Sequence, residues 1–498
     1  MTQTRREFLK KSGCALSMVT LATQFQHFGL MSALAQEVDD AQNAAQGGEN
    51  YKALVLIFMA GGNDGNNTLI PNHSDASLSN YSAYSAARNT QGLALAQNQL
   101  LPISVPKMNG LTYGLHPALG VLPPSNTPNI VVNNGIHELW AQQKMAIIPN
   151  AGTLVSPTTK AQYQGRTVPL PYQLFSHSDQ VQQFQAGFAG TQAYTGWGGR
   201  VSDRMTLGNN PNGLIPMVTS ISGAQLFTAG QTTLPMAINN AGTSLSSVLN
   251  PQGFGTSTTQ QARMTAFNQL RTMDLSSNYI KEASHVTDLA MQANQALSAF
   301  QEVTVTFPNT SIGLQLKQVA RLIKKRTDLN VNRQIFYVQI GSFDTHNNQL
   351  TGQATLLSQF SQAARAFYDE MGAQNAQNDV TMFTLSDFGR TFNPAASGAT
   401  VGSDHAWGNH LFAIGGSVLG GDFYGGNASN GTPFPTLAFN GPDDADSGTN
   451  ARGRWVPTTS VDQYAATLAR WFGLPENQVA SVFPNIGNFP TSNLLFMP

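Results

Sequence analysis

A-L-V-L-I-F-M-A-G-G-N-D-G-N-N, residues 53–67, decides the fold. An unbroken apolar run ends abruptly at Gly61-Gly62. It is too short to span a membrane as a helix and has no polar alternation. A run of that kind reads as a strand covered on both faces, as in a parallel sheet. Similar short runs recur at 145–149 (M-A-I-I-P), 334–340 (Q-I-F-Y-V-Q-I), 380–385 (V-T-M-F-T-L) and 410–414 (H-L-F-A-I). Helical spacing lies between them. Ile312, Leu316, Val319 and Ile323 form one stripe, and Leu356, Phe360, Ala363, Phe367 and Met371 another. Ser460 is placed to cap a helix carrying Tyr464, Leu468 and Trp471, with Gly473 closing it. Strands alternating with helices predict an α/β fold with a central, mostly parallel sheet. Residues 200–310 are rich in Gly, Ser, Thr, Asn and Gln, with a polar helical stretch near 258–300, and read as an insertion or cap.

Ligands bind such sheets beyond the carboxyl ends of the strands, so the segments after each run deserve the chemistry. The first run is followed by G-G-N-D-G-N-N with Asp64. The run at 334–340 is followed by G-S-F-D-T-H-N with Asp344 and His346. The run at 380–385 is followed by S-D-F-G-R with Asp387 and Arg390. S-D-H-A-W-G-N-H, with His405 and His410, immediately precedes the last run. Three carboxylates and three imidazoles meeting at one edge repel unless a cation joins them. Asp/His donors suit one or two divalent ions, zinc, manganese or iron, while an all-oxygen set suits calcium. Each residue also has a plain structural reading: Asp64 as a turn residue in N-D-G, Asp387 as a loop partner of Arg390, and His405 and His410 as core histidines. Ser176-His177-Ser178-Asp179 precede a helical stretch. A hydroxyl there is either an N-cap or a nucleophile. Asp443, Asp444 and Asp446 read as a solvated loop, with calcium binding the alternative. T-G-W-G-G-R at 195–200 is either a packed turn or a pocket wall. A G-x-S-x-G elbow, a P-loop and a dinucleotide fingerprint are all absent from the sequence.

The chain has 498 residues, 11% of them charged, and a net charge of −1. That balance argues against a broad nucleic-acid or anionic-membrane surface. Residues 4–10 read T-R-R-E-F-L-K, a mildly apolar stretch follows, and Ala33-Leu34-Ala35 suits a cleavage site. Residues 1–35 are therefore expected to be a twin-arginine export signal, engaging the twin-arginine machinery, with 36–50 a flexible lead-in. Removing the signal leaves 22 basic and 26 acidic residues, net −4. It also removes Cys14, the only cysteine, so the exported chain would have no thiolate metal site. No later stretch is apolar enough for a membrane span. A periplasmic or secreted location is expected.

Several of these segments, in this order, resemble a large bacterial family known as domain of unknown function 1501: LVLIFMAGGNDGNNTLIP, YGLHPAL, SHSDQ, TGWGGR, GSFDTHNNQ, SDFGRT and DHAWGNHLFAIGGSVLGG. The family is placed in the alkaline phosphatase and sulfatase superfamily. The resemblance implies an alkaline phosphatase-like three-layer sandwich over residues 51–498 with a metal site at the strand ends. Residue by residue it implies Asp64, Asp344, His346, Asp387 and His405 as ligands, with His410 a further one. Phe388 stands where a histidine ligand is usual. The expectation is thus an exported, metal-dependent hydrolase of a small-molecule or polymeric phosphate or sulfate ester. Ser176 or water would attack, and His177 or Arg390 would stabilise the oxyanion. The alternative is a degenerate member that binds an envelope or secreted polymer or protein without catalysis. A third reading, suggested only by twin-arginine export, is a metal-dependent oxidoreductase.

Overall fold

The first apolar run is β1 (Lys52–Met59), a central strand of an eight-stranded sheet. In the computed structural model the described residues are 51–89, 92–121, 135–233, 235–248, 254–298, 301–394, 398 and 400–498. The expected signal, the lead-in and Cys14 lie outside them. A small antiparallel sheet follows β1: β2 (Leu69–Pro71), β3 (Leu101–Val105) and β4 (Leu111–Leu115). The large sheet continues with β5 (Met145–Gly152), β6 (Val218–Ser220), β7 (Met236–Ala237), β8 (Arg333–Ile340), β9 (Val380–Ser386), β10 (Asn409–Gly415) and β11 (Thr459–Ser460). Its order is β11-β5-β10-β9-β1-β8-β6-β7. β1 pairs parallel with β8 and β9, whereas β10 runs antiparallel to β5 and β9. The sheet is therefore mixed but mostly parallel. The carboxyl ends of β1, β5, β8 and β9 and the amino end of β10 share one edge.

The helices that matter below are α1 (Tyr81–Arg88), α2 (His177–Ala186), α3 (Trp197–Asn209), α4 (Thr258–Arg271), α5 (Asn278–Ser298), α6 (Ser311–Lys324), α7 (Gln349–Ala373) and α8 (Val461–Phe472). Alternate residues of β1 supply the two cores. Val55, Ile57 and Met59 join Leu316, Val319, Phe360 and Phe367 of α6 and α7. Leu54, Leu56 and Phe58 join Trp197, Val201, Tyr464 and Leu468 of α3 and α8. Both faces of the sheet are covered, so its central strands are apolar throughout. α8 has the expected ends: Ser460 Oγ accepts from Asp462 N, Gln463 Oε1 accepts from Ser460 N, and Gly473 closes the helix at φ 116°. Residues 200–310 supply β6 and β7 to the sheet as well as α4 and α5. In T-G-W-G-G-R, Trp197 is buried against Phe227, Phe383 and Phe483, and Arg200 binds the carbonyls of Ala186, Thr195 and Val482. The motif packs the core. No described helix is long and apolar enough to cross a membrane.

Candidate metal centre

Three segments at the shared sheet edge bring together three imidazoles and one carboxylate. Asp344 and His346 lie in the loop after β8, which is pinned by Ser403 N to Thr345 O and Asn348 N to Thr400 O. His405 lies in the strand-like approach to β10, bridged antiparallel to Arg390 after β9. His177 is the first residue of α2. Just before it, Phe175 adopts φ 70°, and its N–H donates to Gln180 Oε1. A bulky residue at positive φ is strained, and this one turns the chain so that His177 enters the cluster.

The donor atoms face one another. His405 Nε2 lies 3.1 Å from His177 Nε2 and 3.1 Å from His346 Nε2. Asp344 Oδ1 lies 3.4 Å from His177 Nε2, 3.0 Å from His346 Nε2 and 3.5 Å from His405 Nε2. The opposite nitrogen of each ring meets an acceptor: His177 Nδ1 meets Asp387 Oδ2 at 2.6 Å, His346 Nδ1 meets Asp404 Oδ1 at 3.1 Å, and His405 Nδ1 meets the Phe175 carbonyl at 2.8 Å. Each neutral ring therefore carries its proton on Nδ1 and turns a bare Nε2 lone pair inward. Imidazole lone pairs gathered beside a carboxylate oxygen favour a cation, and the Arg390 guanidinium, 2.7 Å from Asp344 Oδ1, supplies part of that charge from one side. Donors about 2.0–2.2 Å from a common ion stand roughly 3.3 Å apart; among the described residues His177, Asp344 and His405 offer ligand atoms within 4.8 Å of one another, and His346 Nε2 flanks Asp344 and His405. Imidazoles backed by carboxylate or carbonyl are the usual support of a metal site. The donor set fits a divalent transition ion.

The charges agree. The hydrogen bond His177 donates to Asp387, then the charges of Asp387 and Asp344, raise His177 above the usual histidine value against burial. Burial lowers His405, helped by the charges of His177 and Arg390. Burial pushes Asp344 up, but Arg390, His346 and His177 outweigh it and hold the carboxyl below its ordinary value. Asp404 is likewise raised by burial and lowered further by Arg452 and His346. Phe388, fully buried, lies 4.7 Å from both the His177 and His405 rings and closes the back of the cluster. A side chain on Gly62 would overlap that ring.

Sequence-named residues divide into two groups. Asp344, His346 and His405 meet, with His177 as the third imidazole rather than an oxyanion donor. Asp387 stands behind His177 and accepts from Gly61 N at 3.0 Å. Asp64 stands apart because Arg88 claims it: Oδ2 accepts from Arg88 Nη2 at 2.8 Å and from Gln349 Nε2, and Oδ1 caps Asn66 N. His410 is also apart. Its Nδ1 accepts from Asn150 N, it stacks on Phe434, and burial drives its pKa to about 3. Ser176 Oγ donates to Asp179 Oδ2, and the Arg390 side chain is fully buried on Asp344 and Ser403 O. The Asp443–Asp446 loop is not simply solvated: Asp443 accepts from Ser429 N and Thr436 N, and Asp444 from Asn440 N and Arg454 N. Sequence reading missed Asp404 as a support, although it adjoins His405.

Residues 51–433 match the model of a family described as a protein of unknown function, DUF1501. No curated protein matches the chain. Among solved structures it is similar to the PsFucS1 sulfatase from Pseudoalteromonas sp., with 8% identity and a TM-score of 0.25, over 82% of this chain and 68% of that one. It is also similar to alkaline phosphatase from the Antarctic bacterium TAB5, with 9% identity and a TM-score of 0.24, over 74% and 92%. Likenesses this faint carry no argument about activity.

Proposed function

This chain belongs to the DUF1501 family, and on that footing we propose that it is an exported, metal-dependent hydrolase of phosphate or sulfate esters. One observation carries the reading: the convergence of ligand atoms of His177, Asp344 and His405, with His346 Nε2 beside the last two. When bound there, a divalent ion supplies a Lewis acid that polarises a phosphoryl or sulfuryl oxygen and acidifies water. The protein's part is to hold the donors. Asp387, Asp404 and the Phe175 carbonyl fix the Nδ1 protons, and Arg390 anchors Asp344. Phe388 excludes water from behind the rings. The Asp344 and His346 side chains are each 43% exposed, so an ester approaches from their side. Export through the twin-arginine pathway would deliver the folded protein to the periplasm or beyond.

Protein folded in the cytosol should turn over p-nitrophenyl phosphate or p-nitrophenyl sulfate when zinc or manganese is supplied, and His405→Ala should abolish this. No chelator-sensitive turnover of any phosphate or sulfate ester across a broad panel would overturn the reading. Binding of an envelope polymer without catalysis is the second reading. It is favoured because no described Ser or Thr hydroxyl is hydrogen-bonded to any of the four donors.

A further inference from the structure

Taking the cluster of His177, Asp344 and His405, with His346 beside it, as a metal centre, we infer that the chain holds one divalent ion and not two, and that the Arg88 guanidinium serves at Asp64 as the cation a second ion would have been. Both side chains of the Arg88–Asp64 pair are fully buried, and their atoms meet at 2.8 Å. The two carboxylate oxygens of Asp64 are taken by Arg88, Gln349 Nε2 and Asn66 N. Arg88 is held in turn by Asn67 Oδ1 at 2.7 Å. A buried carboxylate needs a cation, and α1 provides one covalently.

The other donors of a second centre are also spoken for. His410 packs against Gly65, the residue after Asp64, yet its Nδ1 accepts the Asn150 N–H, which leaves the proton on Nε2. Phe388 offers no donor. Around the four-donor cluster, Asp344, Asp387 and Asp404 face the guanidiniums of Arg390 and Arg452, a net charge of −1. One divalent ion brings this to +1, enough to attract an anionic ester, whereas two would leave +3 with no acid to oppose it.

The test is a metal count on the full chain folded in the cytosol, by native mass spectrometry and elemental analysis after equilibration with buffered zinc. Wild type should hold one zinc per chain. Asp64→Asn should also hold one, and in His405→Ala the affinity should fall at least about tenfold. Two zinc ions per chain, or loss of zinc in Asp64→Asn, overturns the single-ion inference and leaves the centre standing. No zinc in the wild type overturns the metal-centre reading along with it. If Asp64→Asn fails to fold, the wild-type count decides alone.

Discussion

Asp387→Asn probes the centre without touching a donor atom. In the wild type one carboxylate oxygen accepts from Gly61 N at 3.0 Å and the other from His177 Nδ1 at 2.6 Å. An amide cannot accept at both places. If its NH2 faces His177, the ring must move its proton to Nε2, where it can donate to His405 Nε2, 3.1 Å away. That arrangement satisfies every group in the metal-free protein but removes one lone pair from the cluster. Restoring the lone pair on binding turns the NH2 toward the Gly61 N–H, and a buried donor–donor contact costs about 1–3 kcal/mol. Zinc affinity should therefore fall by about tenfold to a hundredfold, with little change in the stability of the metal-free fold. Competition against a chromogenic zinc chelator measures the first quantity, urea unfolding in chelator the second. Nitrogen-15 spectra of the His177 ring report the tautomer. Zinc affinity within about twofold of wild type, with the proton still on His177 Nδ1, would refute the assignment of Asp387 as the group that fixes that ring.

Stripping metal with a chelator should lower the melting temperature, and zinc at 100 times the wild-type dissociation constant should return about 2.7 kcal/mol in wild type and about 1.4 kcal/mol or less in His405→Ala. Gly61→Ala should destabilise the fold by about 2 kcal/mol or more in urea unfolding, because Gly61 sits at φ 113° and an added Cβ would lie 2.4 Å from Asp344 N. Acid should also destabilise the protein. Burial lowers His116 to about 4 and His410 to about 3, so below the unfolded histidine value of 6.5 the unfolded chain binds protons that the folded one refuses. Each then costs up to about 1.4 kcal/mol per pH unit as pH falls. Asp462, raised by burial to about 8, acts oppositely: the folded state keeps its proton between 3.8 and 8, and stability rises as pH falls through that window. Unfolding free energies at pH 6 and 5 should lose about 1.4 kcal/mol less in His410→Asn than in wild type, and an unchanged pH slope would contradict the neutral, buried assignment.

Much of the architecture was legible along the chain. Five apolar runs mark the long strands because a strand covered on both faces has no polar side to alternate with. Ser460 and Gly473 mark the ends of α8 because caps act within a turn of the chain. The rule that ligands gather beyond strand ends located the loops carrying Asp344, His346, Asp387 and His405. The short strands β6 and β7 gave no such signal, since two or three residues carry no periodicity.

The division of labour among the charged and aromatic side chains was not legible. Asp64 and Asp344 follow their strands in similar fashion and each meets an arginine, yet Asp64 is sealed against Arg88 from α1 while Asp344 stays half-exposed and also faces three imidazoles. Asp404 and Asp387 orient rings from behind, and Phe388 supports two of them at the position where the family resemblance implies a histidine ligand. Strand and cap signals are local, so the sequence by itself determined the sheet and the edge where chemistry collects. A carboxylate's role depends on which cation lies within about 3 Å of it and on what else surrounds it: at Asp64 that cation is Arg88, 24 residues away on a helix, while at Asp344 it is Arg390, with imidazoles from three segments gathered round the same oxygen. Only the tertiary structure sets those distances.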